Sequence, residues 1–260
     1  MTIIGTVESA WRYPVKSMRG EEPDELFLGY AGIYGDRLFA FTKAAGPAIF
    51  PYLTGRDQAG MLRYRPRFRD AEKAATPPNI AHVLGAGPGL TPLYADADGL
   101  AVDVETPSGE VLAVDDPRLL SLLGDPATLA LIRSDRALTD CRPVSLFAIQ
   151  TAAVIAAEAG VPVDKRRFRA NIYADLGAGA GGFAEDRLVG HRLQIGDRAV
   201  IAITGRDPRC KMISLDPDTA EATPALLAQV VRAHEGNAGV YGAVLVEGLI
   251  RRGDPITLLD

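Results

Sequence analysis

Apolar and β-branched residues come in short bursts along this chain, broken by glycine, proline and charged positions, and few bursts carry the 3.6-residue spacing of a helix. The bursts at 3–9, 25–29, 37–42 and 100–105 have the length and content of strands, and Pro107-Ser108-Gly109 reads as a hairpin-like turn. Further strands are predicted at 192–195, 198–204, 240–247 and 256–259. Helical signals are sparser. Asp116-Pro117 places an N-cap before a proline at the first helical position. The alanine-rich run 145–159 is stopped by Gly160 and Pro162, and Thr223-Pro224 opens a helix to about His234, with Gly236 beyond it. Few helices among many short strands predict a β-rich α+β or β-barrel architecture rather than a doubly wound sheet. Asp125-Pro126 marks the expected division into 1–125 and 126–260.

Composition narrows the class. A chain of 260 residues that is 47% hydrophobic can bury an ordinary core without metal or disulfide staples. Its formal charge of −5 gives no general attraction to nucleic acid or anionic membrane, so neither is an expected partner. No stretch is apolar and long enough to span a bilayer, and the first residues lack the basic start and apolar run of a signal peptide, so a cytoplasmic location is expected. Cys141 and Cys210 are too few for a four-cysteine iron–sulfur cluster and form no CxxC pair; a disulfide between them is possible but not demanded. His82, His191 and His234 are scattered, without HxH or HExxH spacing. The Gly/Ala-rich stretch 177–182 fits no phosphate-loop motif and reads as a surface loop.

The candidate chemistry lies in four segments. Cys210 sits in a turn just after the strand-like run 199–203, with Arg206, Asp207, Arg209 and Lys211 around it. Cationic neighbours favour the thiolate, which is the nucleophile and the metal ligand, although free cysteine is commonly an inert small hydrophobe. Tyr13-Pro14-Val15-Lys16-Ser17-Met18-Arg19-Gly20 joins a cation, a hydroxyl and backbone amides at a turn, which suits an anion, or else leaves Lys16 solvated. Arg37 can fork onto a phosphate or carboxylate, or pair with Asp36. If the run 164–172 is extended, Arg167, Arg169 and Asn171 share one face and Phe168, Ala170 and Ile172 the other; a solvated basic strand is the alternative. Cys141, beside Arg142 and Pro143, reads as structural.

Taken in order, several short segments resemble the molybdenum-cofactor-binding proteins in which an N-terminal β-barrel-like domain precedes a MOSC domain. That group includes the C-terminal part of molybdenum cofactor sulfurases and the amidoxime-reducing component of mitochondria. The segments are Tyr13-Pro14-Val15-Lys16-Ser17, Gly35-Asp36-Arg37, Leu53-Thr54-Gly55-Arg56, Arg142-Pro143-Val144-Ser145-Leu146, Arg167-Phe168-Arg169-Ala170-Asn171-Ile172, Phe183-Ala184-Glu185-Asp186, Ile195-Gly196-Asp197, Arg209-Cys210 with Asp216-Pro217-Asp218-Thr219, Val240-Tyr241-Gly242 and Gly253-Asp254. The resemblance implies an N-terminal β-barrel-like domain plus a MOSC β-barrel domain with a few helices. It implies molybdenum cofactor (Mo-molybdopterin) in the cleft between them, with Cys210 as the metal ligand and catalytic residue. Lys16, Ser17, Arg37, Thr151, Arg169, Asn171, Arg209 and Tyr241 would hold the pterin and its phosphate. The activity implied is reduction of N-hydroxylated or N-oxide-type small molecules. Electrons would come from a separate protein (a ferredoxin, a flavoprotein or a b-type cytochrome). The alternative is a cofactor carrier or sulfur-transfer module bearing a persulfide on Cys210. Two features depart from the family's pattern: Asp207 stands where a second cysteine is often found, and the stretch 64–96 does not follow it.

Overall fold

Strict alternation is the clearest local cause of structure in this chain: Arg65–Phe68 and Val102–Glu105 each bury every second residue, and they pair with each other. A computed structural model describes residues 1–85 and 99–259. The strands are β1 (Thr2–Ala10), β2 (Glu25–Gly29), β3 (Gly32–Ile33), β4 (Phe39–Lys43), β5 (Arg65–Phe68), β6 (Val102–Glu105), β7 (Val111–Ala113), β8 (Leu129–Arg133), β9 (Val144–Ala148), β10 (Ile172–Asp175), β11 (Arg192–Ile195), β12 (Ala199–Pro208), β13 (Asn237–Val246), β14 (Gly248–Arg251) and β15 (Pro255–Leu258). The helices are α1 (Ile80–Gly85), α2 (Pro117–Leu123), α3 (Ile149–Ala159) and α4 (Pro224–His234), joined by short 3-10 turns that include Lys165–Phe168 and Lys211–Ser214.

Seven strands close into a barrel in the order β1-β10-β9-β13-β12-β11-β15, which makes the molecule a β-rich α+β protein. The barrel is filled by Val7, Leu146, Ile172, Leu193, Ile195, Ile201, Val240 and Ile256, all essentially inaccessible. The strands β9 and β10 pair in parallel, which requires a crossover, and α3 supplies it. Outside the barrel, α3 and α4 pack on Phe147, Phe168, Tyr173 and Ile213, forming a second apolar layer beneath the segment that carries Cys210. The smaller sheets β5-β6-β7 and β4-β8 close over a third core containing Val15, Phe41, Met61, Val104 and Leu119. Among the described residues, no helix is long and apolar enough to cross a membrane.

Two expected elements change, and strand pairing runs across the expected division of the chain. The run 145–159 is not one helix: Val144–Ala148 is a wholly buried central strand and the helix begins at Ile149. A strand buried on both faces has no polar alternation, so its pattern merges with that of an adjoining apolar helix. The division at 125/126 is crossed by strand pairing in both directions. N-terminal β1 closes the barrel between β10 and β15, whereas β8, beyond the boundary, pairs with β4, and β14 pairs with β2. Finally, the run 164–172 is not extended. Residues Lys165–Phe168 form a 3-10 turn capped by the Asp164 side chain, Arg169 turns left-handed at φ 52°, and the strand starts only at Ile172. Of the stretch 64–96 that departs from the family's pattern, 86–96 lie outside the described residues.

Candidate functional site

The cleft lies where the barrel mouth meets the N-terminal sheets, and seven separate segments build its walls. They are the loop after β1, the turn before β4, the loop around Thr54, the connection into β9, the connection into β10, the β12 terminus with Cys210, and Tyr241 on β13. Its cavity volume is about 100 Å³, and it opens to solvent. Lys16, Ser17, Arg37, Arg169, Asn171, Arg209, Cys210 and Tyr241 all line it. Thr151 does not: it is buried in the first turn of α3, where its hydroxyl donates to the Glu185 carboxylate (2.7 Å) and accepts from the Phe183 amide (2.8 Å). It ties α3 to the buried Glu185 instead of facing the cleft.

Seven cationic side chains line the cleft (Lys16, Arg37, Arg56, Arg142, Arg167, Arg169 and Arg209) against two carboxylates, Asp140 and Asp207. A concave cationic wall in a chain of net charge −5 is a place for an anion. The backbone carries the same signal: Ser17 (φ 66°), Arg37 (φ 44°) and Arg169 (φ 52°) are all left-handed, a conformation that costs a non-glycine residue about 1–3 kcal/mol and collects at ligand sites.

Lys16 is buried rather than solvated. Its ammonium pairs with Asp140, donates to the Leu138 carbonyl (2.7 Å) and lies 4.7 Å above the Tyr52 ring. Burial and the nearby Arg37 hold its pKa below the ordinary lysine value despite Asp140. The side chain of Ser17, next to it, has no hydrogen-bond partner within the protein among the described residues and lines the cleft. Arg37 pairs with Asp36 and donates from Nη2 to the Arg169 carbonyl (3.1 Å). Asn171 is fully occupied inside the protein: Oδ1 accepts from the Ser145 amide (3.2 Å) and hydroxyl (3.3 Å), and Nδ2 donates to the Trp11 carbonyl (3.3 Å) and Asp36 (3.2 Å). It positions the Asp36–Arg37 pair rather than offering a free donor. Arg169 is the opposite case. Its guanidinium lies 4.3 Å over the Tyr13 ring, it has no carboxylate partner, and its buried Nη2 makes no hydrogen bond. Burial and the like charge of Arg37 hold it below the usual arginine value.

Cys210 caps the 3-10 turn Lys211–Ser214 and is partly exposed. The charged neighbours counted along the chain are directed elsewhere. Arg206 bonds Asp186 and Glu235, Lys211 donates to the Arg56 carbonyl (3.2 Å), and Arg209 donates to the Ala238 (2.6 Å) and Phe168 (2.8 Å) carbonyls and pairs with Asp207 (2.8 Å). The cationic surroundings of the cleft come instead from distant residues, Arg37, Arg56, Arg142 and Arg169. Gly239, at φ 81°, lets this packing form: a Cβ there would stand 2.9 Å from Arg209 Nη2 and 3.0 Å from the Leu146 carbonyl. Cys141 is exposed and both cysteines are free.

Asp207, expected only as a change in a flanking side chain, is a buried wall of the cleft. Burial pushes its carboxyl up to about 6, against the pull of Arg209 and of a hydrogen bond from the Tyr241 hydroxyl. Because the folded-state value is raised, protonation favours folding: the contribution is full below the unfolded value of about 4 and is lost as pH rises through about 6. Relative to Asp207→Asn, the wild type is expected to lose up to about 3 kcal/mol of stability between pH 4 and 7. Denaturant titrations across that range check this, and superimposable profiles would refute it.

The molecule is thus a barrel protein whose cleft carries one thiol and a guanidinium without a carboxylate partner. The chain carries a MOSC domain: the family model of the MOSC domain matches residues 133–257, which span β9 to β15 and include Cys210. That family is associated with molybdenum cofactor binding. Among solved structures, the chain is similar to the YuaD protein of Bacillus subtilis, with 18% identity, 97% of this chain and 93% of that chain covered, and a TM-score of 0.49. YiiM of Geobacillus stearothermophilus is 20% identical over 46% of this chain and 55% of that one, with a TM-score of 0.36. YiiM of Escherichia coli is 18% identical over 46% and 55%, with a TM-score of 0.33. No curated protein sequence matches.

Proposed function

We propose that this chain, in the cytoplasm, holds molybdenum cofactor in the cleft through Cys210. It reduces N-hydroxylated or N-oxide-type small molecules with electrons from a separate donor: a ferredoxin, a flavoprotein or a b-type cytochrome. The observation that carries the reading is the convergence of the one cleft-lining thiol with a cationic wall drawn from residues 16 to 209.

The residues present fit such a group. A soft thiolate suits a metal that already carries a sulfur-rich pterin dithiolene. Among the described residues no group of three or more His, Cys, Asp or Glu could hold a bare ion, so Cys210 would meet a metal bringing ligands of its own. Arg169 offers a buried, unbonded N–H to the phosphate, and Ser17 a hydroxyl beside it in the wall. Lys16, Arg37 and Arg209, each already paired, set the potential of the cleft and hold the walls in register. When bound, the molybdenum centre supplies two-electron oxygen-atom chemistry. Conversion of an N-hydroxyl compound to the amine also takes two protons and releases water, and the hydrogen-bonded Asp207–Tyr241 pair is a titratable couple in the wall.

Turnover tests the reading. Protein loaded with cofactor and given an amidoxime and an artificial electron donor is expected to form amidine in proportion to donor oxidised. Absence of product from molybdenum-containing protein would overturn it, and a persulfide on Cys210 in metal-free protein would favour the sulfur-transfer alternative.

A further inference from the structure

Pairing the charges of the cleft leaves a remainder. Four of its cations have a carboxylate of their own: Lys16 with Asp140, Arg37 with Asp36, Arg167 with Asp216 and Arg209 with Asp207. Arg56, Arg142 and Arg169 have no carboxylate within 4 Å among the described residues, Asp140 acting on Arg56 only from farther away. Arg169 is the deep one, its Nη2 shut off from solvent, and it suits the cofactor's phosphate. Arg142 is exposed and Arg56 half-buried, so these two are the more solvent-accessible of the three.

Arg56 is fixed relative to Cys210. Its carbonyl accepts from Lys211 Nζ (3.2 Å), and Gly55 lies so close to Met212 that a Cβ would stand 2.7 Å from the sulfur. Its guanidinium rests 4.6 Å over the Phe50 ring, a contact that orders it without neutralising it. Arg142 comes from the connection into β9, two residues after the Asp140 that holds Lys16. The stacked guanidinium of Arg56 is preorganised for a planar oxyanion, and Arg142, whose one hydrogen bond is to the Cys141 carbonyl (3.5 Å), is free to join it.

We propose that Arg56 and Arg142 are the substrate-recognition residues of this cleft, and that its substrate carries a carboxylate in addition to the reducible N–O group. The identity of the N–O group rests on the function proposed above; the carboxylate rests on these two arginines. A neutral substrate leaves both charges without a partner at the mouth, and a cationic one is repelled.

The test compares 4-carboxybenzamidoxime with its neutral analogue, 4-carbamoylbenzamidoxime, by calorimetric binding to the protein as purified, without electron donor. The carboxylate is expected to bind about tenfold tighter or more at low salt, and the gap to narrow as salt is added. In the Arg56→Gln/Arg142→Gln double variant the ratio is expected to collapse toward unity while molybdenum and pterin content stays at the wild-type level. Equal affinities in the wild type would overturn the proposal, as would loss of cofactor from the double variant, which would place these arginines on the cofactor instead. Since binding is read without turnover, failure to reduce either compound counts against the oxidoreductase function alone.

Discussion

Arg169→Met is expected to make the cofactor-free protein more stable and at the same time unable to retain its pterin. The guanidinium has no carboxylate, a buried nitrogen without a partner and Arg37 as a like-charged neighbour. A buried polar group left unsatisfied costs about 1–3 kcal/mol. Methionine keeps a long apolar stem over the Tyr13 ring and removes that cost, so a gain of about 1–2 kcal/mol is expected in denaturant unfolding of protein stripped of cofactor. The same change removes a charge-assisted donor from the proposed phosphate position, and pterin retained through purification should fall about tenfold or more. Such a trade is the mark of a residue kept for a ligand rather than for the fold. Loss of stability in the variant would mean that stacking on Tyr13 is the side chain's true role.

The second large effect belongs to Cys210. Being partly exposed at the start of a 3-10 turn, with its side chain outside the apolar layers, it contributes little to packing. Cys210→Ala is expected to change unfolding free energy by less than about 1 kcal/mol. Molybdenum content should nevertheless fall to background, and turnover with it, because no other thiol lines the cleft. A variant that keeps its metal would remove Cys210 from the ligand position; one that fails to fold would make the cysteine structural.

What was legible in the sequence follows from how local each cause is. The Asp116 cap with Pro117, and Pro224 after Thr223, set the starts of α2 and α4 through adjacent residues, and both helices start there. The β9 strand was hidden inside an apparent helix because its face-to-face burial is decided by α3 and the barrel, not by its own pattern. The strand exchange around residue 125 depends on pairings more than a hundred residues apart, such as β2 with β14, and no composition shift reports it. Arg169 and Asn171 line the cleft, but the alternation that singled them out does not exist: a 3-10 turn and a left-handed residue bring them there. Arg56 and Arg142 stood within segments that carried the family resemblance, and only the charge pairing of the folded cleft separates them from other surface arginines. Thr151 points the other way: a helical position adjoining the site by sequence order is turned into the core by its bond to Glu185.

Molybdenum and pterin in wild-type protein, purified from a host that makes the cofactor, are the most direct measurement. Metal analysis and pterin fluorescence are expected to show both in a fixed stoichiometric ratio to the chain, with the metal absent from Cys210→Ala. Wild-type protein free of both under those conditions would contradict the assignment of this cleft to molybdenum cofactor.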